Sequence, residues 1–161
     1  MEKERQIRCK NNKKTLNIRI GSTLSEIFHQ LDIDVEYGPV CARVNNKVEG
    51  MNYRVYNSKE IEYLGLRSSS ALRTYTRTLF MVLCKAVNDL YPDGRVMIDI
   101  PVSNGYYCDM RIGRPVTDAD ADALRTRMQE LIAAGLPIHR HETTTEEAVR
   151  MFSEAGATSK V

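Results

Sequence analysis

Apolar and polar residues alternate through Arg5, Gln6, Ile7, Arg8 and Cys9, and again through residues 15–20. A period of two predicts paired strands, and Asn11-Asn12 between the runs suits a tight turn, so the chain opens as a hairpin. Thr23 is followed three residues on by Glu26, the spacing of a capping box, and Leu24, Ile27, Phe28 and Leu31 then share one face of a short helix. Residues 39–44 and 59–64 have strand character, and Asn45-Asn46 reads as a turn. The order ββαβ…β over the first 65 residues suggests one sheet curled over one helix.

From residue 68 the period lengthens. Leu72, Tyr75, Thr76, Leu79, Phe80, Leu83, Ala86, Val87 and Leu90 recur at three and four residues, which predicts a helix of about six turns. Ser70 is its expected cap, Tyr91-Pro92-Asp93-Gly94 its stop, and Leu72, Leu79 and Leu83 its core stripe. Strands are predicted at 96–100 and 106–112 around a turn at Ser103-Asn104-Gly105. A helix follows from Thr117 to Gly135, then a short strand at 138–142, then a last helix capped by Thr144 or Thr145. The second half therefore reads αββαβα, and the fold class is α+β.

Composition excludes several classes. With 42% hydrophobic and 27% charged residues the chain is not disordered. Its longest apolar run, residues 79–84, is far below the ~20 residues of a membrane span. The first residues, Met-Glu-Lys-Glu-Arg, hold no apolar signal core, so a cytoplasmic location without membrane contact is expected. Cys9, Cys41, Cys84 and Cys108 form no Cys-x-x-Cys pair, and neither disulfides nor zinc is expected. Seven Lys/Arg against two Glu in the first twenty residues give a local charge of +5, either a phosphate-facing strip or a solvated hairpin.

Asp118, Asp120 and Asp122 do not make a calcium loop, because the sixth and twelfth positions are Ala123 and Gln129. Carboxylates in the first turn of a helix answer its macrodipole. His139 and His141 would share one face of the expected strand, as a metal pair or, more ordinarily, as exposed edge residues. No phosphate-binding loop and no Gly-x-Ser-x-Gly elbow occurs, and Ser68-Ser69-Ser70 reads as capping hydroxyls. Five residues remain as binding candidates. Arg73, Arg77 and Lys85, with Arg67, form a basic stripe along the long helix against Asp89 alone. Tyr106 and Tyr107 offer rings for stacking, although strand alternation sends one of them inward. No catalytic residue and no metal ligand is assigned.

Residues 6–65 resemble a TGS domain, the ubiquitin-like β-grasp module of threonyl-tRNA synthetases and stringent-response enzymes. The likeness is carried by Gly21-Ser-Thr-Leu-Ser-Glu-Ile, by Cys41-Ala-Arg-Val-Asn-Asn-Lys-Val and by Ile61-Glu-Tyr-Leu. Residues 66–161 resemble the second amino-terminal domain of threonyl- and alanyl-tRNA synthetases, through Asp89-Leu-Tyr-Pro, Asn104-Gly-Tyr-Tyr-Cys-Asp, Leu136-Pro-Ile and Glu146-Glu-Ala-Val-Arg-Met-Phe. The resemblance implies a domain at 1–65 and a second, truncated one at 66–161.

That synthetase domain carries His-x-x-x-His on its long helix, half of a site that hydrolyses mischarged tRNA. Alignment on Tyr91-Pro92 puts Arg77 and Met81 there instead, and the family's Cys-x-x-x-His would fall beyond Val161. The same pair of domains precedes the catalytic domain of bacterial uridine kinase-like nucleoside kinases, which Arg73-Thr-Tyr-Thr-Arg-Thr-Leu-Phe and Val82-Leu-Cys-Lys-Ala resemble more closely. The expectation is thus a non-catalytic accessory region of such a kinase. Its partner would be a carboxy-terminal kinase domain of the same polypeptide, with nucleoside or RNA as ligand, and ATP and magnesium would be needed by that absent domain alone. The alternative is a tRNA- or RNA-binding amino-terminal region of a threonyl-tRNA synthetase-like protein that has lost the editing histidines.

Overall fold

The computed structural model describes residues 4–103 and 105–154. Residues 1–3, with the expected strip's Lys3, Asn104 of the expected turn, and residues 155–161 lie outside them. The first half comprises β1 (Glu4–Cys9), β2 (Thr15–Arg19), β3 (Ser22–Thr23), α1 (Leu24–Phe28), β4 (Cys41–Val44), β5 (Lys47–Gly50), β6 (Arg54–Val55) and β7 (Glu60–Leu64). Five strands form one sheet in the order β2-β1-β7-β4-β5, with β1 and β7 parallel and the other neighbours antiparallel; β3 and β6 pair separately. The expected hairpin, short helix and capping box are present. Thr23 Oγ1 accepts from the Glu26 N–H at 3.2 Å, and the Glu26 carboxylate accepts from the Thr23 N–H at 2.8 Å. Asn45 and Asn46 have φ of 46° and 71°, the left-handed pair of a two-residue hairpin turn. Strands β3, β5 and β6 have no counterpart in the sequence pattern.

The inner face of this sheet carries Ile7, Cys9, Ile18, Ala42, Val44, Ile61 and Tyr63, which close over Leu24 and Ile27 of α1. Two polar groups tie the core across the chain. Asn11 pairs with the backbone of Tyr63, its Oδ1 accepting from the N–H at 2.8 Å and its Nδ2 donating to the carbonyl at 3.0 Å. The Tyr63 hydroxyl donates to the Leu24 carbonyl at 2.8 Å, and burial pushes its pKa up.

The second half holds α2 (Ser69–Leu90), β8 (Arg95–Val102), β9 (Gly105–Arg111), α3 (Asp118–Ala133) and α4 (Thr145–Glu154). The cap position of α2 is Ser68, and Ser70 lies inside the helix. Gly94 closes the turn into β8, where a Cβ would stand 2.8 Å from both the Cβ and the carbonyl of Tyr91. The β8–β9 ribbon has a bulge between Ile98 and Pro101. Residues 138–142 form no strand: neither ribbon strand pairs with them, and they run as coil between α3 and α4. The observed order is αββαα.

The expected core stripe of α2 also differs. Leu72 is 52% exposed, and Leu79 and Leu83 are half-buried, while the buried residues are Ala71, Ala86 and Val87. The helix packs at its ends. Ala71 meets Cys41 and Leu64 on the outer face of the five-stranded sheet. Ala86 and Val87 meet Leu124 and Leu131 of α3, with Val96 and Met110 from the ribbon.

Asp120 organises the start of α3. Its carboxylate accepts from both Nη atoms of Arg114 at 2.7 Å, from the Tyr91 hydroxyl at 2.7 Å, and from the Thr117 N–H at 2.9 Å and hydroxyl at 2.7 Å. Those donors, Arg114 foremost, hold its pKa far below the usual carboxylate range.

Both ties are open to measurement. Tyr63→Phe leaves the Leu24 carbonyl buried without its donor and is expected to cost about 1–3 kcal/mol, read from chemical denaturation. The Asp120 tie stabilises the fold fully above the unfolded-state value of 3.8 and fades as pH falls below it. Asp120→Asn is therefore expected to melt below the parent chain at pH 7. The gap should narrow steadily under about pH 4, measured by circular dichroism.

Candidate nucleic-acid interface

The five binding candidates do not form one site. Arg73 and Arg77 are exposed, lie four apart on α2, and among the described residues have no ion-pair partner. Lys85 is different: its ammonium is engaged by Asp89, whose carboxylate also accepts from Arg127 Nη2 at 2.9 Å and Nε at 3.1 Å. Arg127 in turn bonds Glu130 at 2.8 Å. Lys85 thus belongs to a network fastening α2 to α3, and Lys85 first and then Arg127 hold the Asp89 pKa low. Arg67 pairs with Glu36 at 2.6 Å. The stripe of four cations reduces to two.

Alternation divides Tyr106 and Tyr107 between core and surface, yet they are 47% and 59% exposed. Below the ribbon lies a single helix layer, and among the described residues nothing covers the strand face turned from it. The Tyr106 ring meets Phe80 of α2 edge to face, with centroids 4.8 Å apart. Phe80 lies three residues beyond Arg77, so the helix brings Arg73, Arg77 and the Phe80–Tyr106 pair onto neighbouring turns. Tyr107, next along the strand, projects to the opposite face and does not join them. Sequence reasoning missed Phe80, whose helical period marks it only as an apolar residue.

Met81, at a position where the resembled domain holds histidine, lines an apolar cleft of about 330 Å³ with Leu131, Leu136, Ile138 and His139. His139 and His141 lie in coil, not on one strand face, and Arg140 between them pairs with Glu142 at 2.6 Å. Among the described residues no group of three or more His, Cys, Asp or Glu could hold a metal ion. The same residues include no helix long and apolar enough to cross a membrane.

This surface can present two guanidiniums to phosphates and the exposed Tyr106 ring, backed by half-buried Phe80, to a base. No family model matches the chain. It is similar to threonine–tRNA ligases. It is 26% identical to that of Symbiobacterium thermophilum over 141 residues, 88% of this chain and 22% of the ligase. Against that of Natranaerobius thermophilus it is 27% identical over 139 residues, 86% of this chain and 22% of the ligase. A third, from Azoarcus sp., is 27% identical over 134 residues, 83% of this chain and 21% of the ligase. The chain thus spans about a fifth of the length of these relatives, and its likeness to them runs through both halves of its mixed α+β structure.

Proposed function

We propose that this chain is a non-catalytic, RNA-contacting region of a threonyl-tRNA synthetase-like protein. Residues 1–65 form a TGS-type β-grasp module, in which the five-stranded sheet grips α1. Residues 66–161 form a module of the synthetase's second-domain type, in which α2, carrying Arg77 and Met81 in place of histidines, is a contact surface. One observation carries the reading: the likeness to threonine–tRNA ligases extends over 88% of the chain and so takes in both halves. The geometry of α2 supports it, since Arg73, Arg77 and the Phe80–Tyr106 pair supply charge and a π-surface together. The region needs no cofactor or metal of its own, and its partners are RNA and the rest of its own polypeptide. The nucleoside-kinase reading, with ATP and magnesium in a following domain, rests on the likeness of residues 73–86 alone and is set behind this one.

Binding of a threonine tRNA transcript across a range of ionic strengths tests the proposal. The expected slope of log affinity against log salt becomes shallower by about 1.8 in the Arg73→Gln, Arg77→Gln double variant, two duplex phosphate contacts at roughly 0.9 each. Its stability should stay within about 0.5 kcal/mol of the parent chain, as for exposed sites. An unchanged slope overturns the reading, and so does unfolding of the double variant, which would make the arginines structural.

The Met81 cleft offers one imidazole, where the resembled hydrolytic site begins with a pair. The chain alone is accordingly expected to leave charged tRNA intact, and uridine with ATP unphosphorylated. Release of labelled amino acid and formation of uridine monophosphate are the two readouts.

A further inference from the structure

Gly21 turns the chain from β2 into β3 with φ of 86°, a left-handed conformation open to glycine without strain. The turn is fastened to β6 twice. The Gly21 N–H donates to the Val55 carbonyl at 2.8 Å, and Arg54 Nη1 donates to the Gly21 carbonyl at 2.8 Å. A Cβ on Gly21 would stand 3.6 Å from Cε1 of Tyr56, so the tyrosine ring lies along this turn, yet the residue is 58% exposed. Around them opens a cleft of about 430 Å³ whose polar lining comes from Arg19, Ser22, Glu26, Arg54 and Tyr56.

Among the described residues the charged lining of the cleft is two guanidiniums and one carboxylate. One oxygen of that carboxylate is already engaged, since Glu26 Oε2 accepts from the Thr23 N–H that starts α1. The Glu26 pKa is held low by that amide first, with Arg54 and Arg19 contributing. Arg54 uses one N–H on Gly21, which fixes its plane and leaves four of the five donors of a guanidinium. A fixed fork beside a second arginine suits the tetrahedral oxygens of a phosphate. An exposed phenol ring supported on one side by a glycine turn suits the face of a base. The volume lies within the usual range for small-ligand clefts.

From this juxtaposition we propose that the Arg19–Arg54–Tyr56 cleft binds a nucleoside monophosphate, with its phosphate between the guanidiniums and its base stacked on Tyr56. None of these residues belongs to the α2–β9 surface, so the site stands whether or not that surface meets RNA. The chemistry is the same for a free nucleotide and for a 5′-phosphorylated RNA end, and the test separates them.

Equilibrium dialysis at low ionic strength compares AMP, adenosine, inorganic phosphate and a 5′-phosphorylated trinucleotide. AMP is expected to bind about tenfold more tightly than adenosine or phosphate, because each of these lacks one of the two contacts. Tyr56→Ala should weaken AMP at least roughly fivefold while leaving phosphate unchanged. Arg19→Gln should weaken both, and Arg150→Gln on α4 should alter neither. Trinucleotide binding tighter than AMP, with the same variant sensitivities, assigns the site to an RNA end; the reverse order assigns it to free nucleotide. Arg54→Gln also releases the Gly21 turn, so should it lower the melting temperature the decision rests on Tyr56→Ala and Arg19→Gln. AMP that binds no better than phosphate, or that ignores both of these variants, overturns the proposal.

Discussion

The 22-residue α2 is anchored where its side chains are smallest. Ala71 lets the first turn approach Cys41 and Leu64 on the outer face of the five-stranded sheet, and Ala86 with Val87 does the same for the second core. At ~1.5 Å per residue the rod is roughly 33 Å long. Its centre is in contact with neither sheet closely enough to bury a large residue, and Tyr75 and Met81 remain exposed there. Thr74, Thr76 and Thr78 turn their hydroxyls back to the carbonyls four residues earlier, at 3.0, 2.9 and 3.1 Å, so these β-branched residues satisfy themselves within the helix. The second half of the chain is fastened at the far end, where Tyr91 both ends the rod and donates its hydroxyl to Asp120.

Local patterns are legible in the sequence because their causes are local. Alternation in β1 and β2, the Thr23–Glu26 box and the paired asparagines each act within a few residues. The departures share a different origin. The helical period of α2 marks Leu72, Leu79 and Leu83 correctly as one stripe, but whether a stripe is covered depends on a neighbour far along the chain. Residues 138–142 alternate like a strand, and alternation without a partner leaves backbone groups to solvent as coil. Strands β3 and β6, two residues each, are too short to show any period.

The candidate interface is legible in part for the same reason. Spacing alone puts Arg73 and Arg77 on one face. It cannot show that Arg127, 38 residues from Asp89, joins the Lys85–Asp89 pair and turns it into a tie between α2 and α3. Nor can it show that Asp120, one of three carboxylates placed to answer a helix dipole, is the acceptor for Arg114, Tyr91 and Thr117 together. Asp118 alone keeps the ordinary role, since Asp122 lies beyond the first turn and pairs with Arg125; Asp120 differs from both in being almost wholly covered.

Among the described residues the ribbon of β8 and β9 has open edges, and it exposes Met97, Ile100 and Val102. A flat apolar edge of that kind is a template on which further strands add and chains aggregate. The irregularity between Ile98 and Pro101 counters this. A bulge adds twist and breaks the regular row of donors and acceptors, and Pro101 has no N–H to offer an incoming strand. The irregularity thus protects the ribbon from templating its own fibres.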